Sequence, residues 1–144
     1  MKNKHPGVSC LYKFIDAFNT AEKNNIITNL HFPHYVHSNG NEPVIYKNGE
    51  DFWKSLSVQL DTMIKVENWS FSTLDKCKII NKTDKTLQCE VEFNRRLMNK
   101  KSYGSAKGIW VSTFRDGIWA LQLRSMIPVS GTISSLAGTN MNNN

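Results

Sequence analysis

Thr86–Met98 reads TLQCEVEFNRRLM, and its alternation decides the fold. Successive side chains of a strand point to opposite faces. Leu87, Cys89, Val91 and Phe93 therefore form one row, and Gln88, Glu90, Glu92 and Asn94 the other. The apolar row ends in Arg95. A guanidinium there is costly unless something acidic meets it. Either Arg95 pairs with an internal acid such as Asp16 or Asp75, or it snorkels to a rim, or its planar fork anchors an outside carboxylate or phosphate.

The same period continues on both sides. Strands are predicted over Glu67–Ile80, Thr86–Met98, Tyr103–Phe114 and Ile118–Ile127, joined by Asn81–Lys85, Asn99–Ser102 and Arg115–Gly117. Connections this short imply an antiparallel meander. The third strand is apolar on both faces, with Ile109 and Val111 opposite Trp110 and Phe114. It should be central and covered on both sides, by helices on one and a second subunit on the other.

Upstream, the period is helical. Leu11, Phe14, Ile15 and Phe18 follow the i, i+3, i+4, i+7 spacing, extended by Val8 and Ala21. Asn25 can cap a short helix over Ile26–His31, which Pro33 stops. His34–Ser38 and Pro43–Lys47 flank Asn39-Gly40, a hairpin signal. Asn48 can cap a second long helix, with Glu50 and Asp51 in its first turn. Phe52, Trp53, Leu56, Leu60, Met63 and Ile64 are its apolar stripe. Residues 1–7 read as a flexible N-terminus and 8–128 as one domain. Residues 129–144 read as a mobile tail, or one that folds over a partner.

At 40% hydrophobic and 21% charged residues, the 144-residue chain has an ordinary globular composition. No stretch approaches the ~20 apolar residues that span a bilayer, and the N-terminus lacks the apolar run of a secretory signal. A cytoplasmic location is the expectation. The net charge is +6, but the lysines are dispersed, which argues against a nucleic-acid footprint. Cys10, Cys77 and Cys89 have neither the number nor the spacing of a disulfide framework or zinc site. Walker, HExxH, GxSxG and GxGxxG motifs are absent from the sequence.

The order of elements resembles the nuclear transport factor 2-like (NTF2-like, SnoaL-like) superfamily across residues 8–128. Leu30-His31-Phe32-Pro33-His34, Phe93-Asn94-Arg95 and Gly117–Ser125 resemble signatures of an uncharacterised bacterial subgroup. The resemblance implies an α+β, cystatin-like cone, in which a strongly bent antiparallel sheet is closed by N-terminal helices. It also implies a homodimer through the convex sheet face. Ketosteroid isomerases of this superfamily resemble one another in an Asp base and a Tyr/Asp oxyanion pair, a set that cannot be placed in this chain. Asp75 alone shares the register of Trp69, Phe71 and Cys77, and so could face inward.

His31, His34 and His37 recur every third residue, but Pro33 and strand parity keep them from sharing a metal. His34 enters the cone mouth in the resembled fold, which makes it the pocket histidine. Arg124 shares parity with Gln122, opposite Trp119, Leu121 and Leu123. Parity favours the convex interface for it, and the opposite register would bring it beside Arg95. Trp53 and Trp69 are core anchors or pocket walls. The leading expectation is a cofactor-free domain binding a small apolar or acidic molecule near Arg95 and His34. The alternatives are a lyase or isomerase with His34 or Asp75 as base and Arg95 as oxyanion stabiliser, and a structural dimerisation module.

Overall fold

His5 opens helix α1 (Pro6–Phe18), its Nδ1 accepting from Gly7 N at 2.9 Å with Pro6 in the first turn. The computed structural model describes residues 5–136 and 139–140. Within the segment read as a flexible N-terminus, residues 1–4 lie outside the described residues, whereas His5–Gly7 belong to the helix start. Gly7 is needed there, because a Cβ would meet Ser112 Oγ at 2.8 Å and Leu87 Cδ2 at 2.9 Å. The α1 backbone thus lies directly on the sheet, and Ser112 donates to Gly7 O at 2.9 Å.

Helix α2 (Lys23–Ile27) begins earlier than expected, with Glu22 rather than Asn25 before it. Strand β1 (Leu30–Ser38) then starts before Pro33, across a cis Phe32–Pro33 bond, so His31 is a strand residue. Strand β2 (Val44–Tyr46) pairs antiparallel with β1 after Asn39 and Gly40 turn at positive φ. Helix α3 (Gly49–Glu67) is capped as predicted, with Asn48 Oδ1 accepting from Asp51 N at 2.9 Å. It buries Phe52, Leu56, Gln59, Leu60 and Met63. It also continues through Glu67, which the sequence pattern assigns to a strand. Asn68, in the left-handed region, ends it.

Strands β3 (Phe71–Lys82), β4 (Thr86–Arg96), β5 (Ser102–Arg115) and β6 (Ile118–Gly131) form the expected meander. The six-stranded order is β2-β1-β6-β5-β4-β3, with β5 and β6 in the middle. Because β1 runs parallel to β6, the curved sheet is mixed rather than wholly antiparallel. The fold is α+β, with α1 and α3 filling the concave side. Leu87, Cys89 and Val91 are fully buried there, as the row in β4 requires.

Two of the sheet's register irregularities bear on the candidate residues. In β3, Leu74 pairs with Phe93 and Lys76 with Glu92, leaving Asp75 as the extra residue. In β6, Leu123 pairs with Val111 and Leu121 with Ser112, leaving Gln122 as the extra one. Leu121 and Arg124 therefore both point inward, and Leu123 points outward.

The tail also departs from expectation. Strand β6 runs past residue 128, and Ile133–Leu136 are buried, ending in strand β7 (Ser135–Leu136), which pairs with β8 (Thr139–Asn140). Residues 137–138 and 141–144 of the segment read as mobile lie outside the described residues.

Candidate functional site

The concave face carries two buried arginines with different surroundings. Arg95, at the end of the β4 row, is 2% exposed. Its Nη1 donates to Glu67 Oε1 and Oε2 at 3.1 and 3.2 Å. The Tyr103 hydroxyl also donates to Glu67 Oε1, and Ser134 donates to Oε2 through its backbone N–H (2.8 Å) and its hydroxyl. Burial alone would raise the Glu67 carboxyl. The Arg95 guanidinium, with Ser134 and Tyr103, outweighs burial and holds the carboxyl below the ordinary range. Burial lowers Arg95, and Glu67 opposes that shift. Arg95 is thus neutralised within the protein, by neither of the acids considered from sequence. Asp16 is exposed. Asp75, extruded at its bulge, is exposed on the outer side, where Thr73 (2.9 Å) and Asn94 (2.5 Å) donate to it and Arg96 lies 3.6 Å away. The inward orientation expected for Asp75 is corrected: Ser72 and Leu74 take the inward places, Asp75 follows Thr73 outward, and Cys77 turns inward only because the bulge shifts the parity after Leu74.

Arg124 is 6% exposed and faces inward, the reverse of the parity-favoured interface. The Gln122 bulge is the reason. Its guanidinium carbon lies 5.0 Å from the Phe14 ring centroid and 5.9 Å from those of Phe52 and Trp110. Among the described residues its one hydrogen-bond partner is His34, whose Nε2 accepts from Arg124 Nε at 3.3 Å. Burial lowers the guanidinium to about 10, and Tyr46 is the group that favours its charged form. It therefore remains a cation at neutral pH, and no carboxylate among the described residues offsets it. Each cation–π contact in a desolvated site is worth on the order of 1–2 kcal/mol, against several for burying an ion.

His34 is fully buried and edge-on to Phe52. Burial, then Arg124, holds it well below the ordinary histidine range. An arginine only donates, so Nε2 must carry the lone pair and Nδ1 the proton. That lone pair is engaged by Arg124. One donor on the cavity wall is unsatisfied: Trp110 Nε1 is buried without a hydrogen-bond partner, whereas the Leu121 backbone lies within reach of the His34 ring.

Both arginines line one internal cavity, with Gln59, Phe14, Trp110 and Leu136 among the other walls. Its volume is about 20 Å³, room for roughly one water. Trp69 is buried but does not line it; its Nε1 donates to Ser72 Oγ at 2.9 Å. Trp53 is half-buried against the core and also outside the lining. His31 lies 3.2 Å from the Ile118 carbonyl, and His37 contacts Ser125 Oγ at 3.0 Å. The structure thus brings Arg95 and Arg124 into one cavity, with His34 behind Arg124, and leaves Asp75, Trp53 and Trp69 out. Glu67, Trp110 and Leu136 are the site residues sequence reasoning missed. Only Trp110 carried a signal, as the large inward residue of the central strand.

No family model matches the chain, and no curated protein does. Solved structures do. An NTF2-like protein from Cytophaga hutchinsonii superposes with a TM-score of 0.65 at 13% identity, covering 90% of this chain and 100% of its own. A protein of unknown function with a cystatin-like fold from Nostoc punctiforme gives 0.63 at 14% identity, covering 84% and 86%. A ketosteroid isomerase-like protein from Erwinia carotovora atroseptica gives 0.57 at 10%, covering 90% and 99%. The chain has the cystatin-like, NTF2-like fold. No helix among the described residues is long and apolar enough to cross a membrane.

Proposed function

We propose that this domain binds a small acidic molecule inside its cone, with the acid group on Arg124. The observation that carries this reading is a buried cation beside the unsatisfied Trp110 N–H and without a carboxylate of its own among the described residues. A ligand carboxylate would take the open side of the guanidinium fork and the Trp110 N–H. The anchor is therefore Arg124, with His34 as the acceptor that orients it, rather than Arg95. The test is calorimetry with formate and benzoate against wild type and Arg124→Met. Saturable binding that Arg124→Met abolishes supports the reading; heats that are equal in both proteins reject it.

We also propose that a second copy covers the convex face. Tyr35, Ile109, Val111 and Leu123 form a half-buried apolar patch there, beside a band of both signs. In that band Lys76 pairs with Glu90 at 3.1 Å, and Lys107 sits opposite Glu92 in the register. A mixed band next to an apolar patch can meet its own copy about a two-fold axis. Light scattering should give a dimer at micromolar concentration and a monomer for Val111→Glu. A wild-type monomer would reject the interface.

A further inference from the structure

We infer that the strap Gly131–Leu136 is a built-in plug, and that Leu136 holds the place of the apolar body of a small monocarboxylate. The inference rests on the Arg124 reading above. A cavity of about 20 Å³ takes no more than a water. Any larger ligand must displace a wall. Every lining residue belongs to α1, α3 or the six-stranded sheet except Leu136.

The strap is shaped to sit there. Gly131 turns at φ +73°, where a Cβ would come within 2.0 Å of the Tyr103 carbonyl oxygen. Thr132 N donates to that same oxygen at 3.2 Å. Gly104 leaves room for Ile133, whose Cγ1 would lie 2.9 Å from a Cβ at that position. Ser134 is latched to Glu67, and Leu136 is 1% exposed. The seat is nevertheless incomplete, since Ser135 Oγ is buried without a partner. Releasing the strap removes only the Ser134 donors from Glu67. Arg95 and Tyr103 still hold that carboxylate, so the frame keeps its internal ion pair while the plug leaves.

Charge and shape then define the ligand. Arg95 is matched by Glu67, so among the described residues that line the cavity Arg124 carries the unmatched positive charge. That favours a monoanion over a dianion such as phosphate. The space Leu136 vacates is walled by Phe14, Phe93, Trp110 and Met126, which suits a compact apolar body.

Three probes separate the terms: formate (charge alone), benzyl alcohol (body alone) and benzoate (both). Calorimetry would compare wild type with Leu136→Ala. Benzoate should bind at least tenfold tighter to Leu136→Ala, and formate should change by less than threefold. Benzoate should also speed amide exchange over residues 132–136 of wild type. If Leu136→Ala fails to fold, Ser134→Ala should move benzoate the same way by a smaller factor. Benzoate affinity indifferent to both variants, with formate still dependent on Arg124, overturns the plug alone. Benzyl alcohol binding as tightly as benzoate overturns the ligand class. Absence of binding by both carboxylates overturns the Arg124 reading and the plug with it.

Discussion

Arg95 and Arg124 line the same cavity, yet one is part of the frame and the other is available. Arg95 meets a carboxylate that takes hydrogen bonds from three residues. Arg124 meets three aromatic rings and a neutral imidazole. Exposure does not separate them, since both are essentially buried. The difference lies in who supplies the acid. A buried cation with its own carboxylate organises the fold, and one without it marks where a carboxylate from outside can go.

The comparison can be broken most sharply at Glu67. Glu67→Leu strands Arg95 and should cost about 3–5 kcal/mol in urea unfolding. A loss below about 1 kcal/mol would place Arg95 in the same class as Arg124. The mirror experiment has the opposite sign. Arg124→Met removes an uncompensated charge and should raise stability by roughly 0–2 kcal/mol while abolishing benzoate binding. A large destabilisation would mean that Arg124, too, has a structural partner.

Acid should report the two arginines in separate windows. His34 has a depressed folded pKa, so the unfolded chain binds its proton first, and stability falls as pH drops below about 6.5. Glu67 is depressed as well. Its contribution is complete at neutral pH and is lost only below the ordinary glutamate range, near pH 4.5. Melting temperature between pH 7 and 5 should therefore decline in wild type and flatten in His34→Gln. Equal slopes in the two proteins would remove His34 from the account. The smallest effect is expected at Asp75. Asp75→Asn should change stability by within about 0.5 kcal/mol and leave benzoate affinity unaltered, as suits an exposed side chain. A lost binding heat would instead tie the outer face to the cavity.

Much of the frame was legible from the chain. Period 3.6 in Leu11–Phe18 and in Phe52–Met63, then period 2 from β3 to β6, marks the helices and the meander. The site was less legible, for local reasons. Period 2 says nothing of a bulge: the one at Gln122 reversed the face of Arg124, and the one at Asp75 broke the parity that linked Asp75 to Cys77. Glu67 stands where helix gives way to strand, and the left-handed turn at Asn68 that ends the helix beside Arg95 leaves no periodic signal. The strap carries only Ile133 and Leu136 as large apolar side chains, too few to show that it is buried.

The Gln122 bulge has an implication for how such a cone changes over time. Ironing out the bulge while keeping that residue, so that Gln122 took its own place in the ladder, would exchange inside for outside in every position of β6 beyond it. Arg124 would become a surface charge on the convex patch, and Leu123 would enter the cavity. The composition of the strand would barely change, but a polar cavity would become a greasy one, and an apolar outer face a charged one. In this fold the gain or loss of one bulge can alter both binding properties at once, where substitution of side chains on an unchanged register would need several coordinated steps.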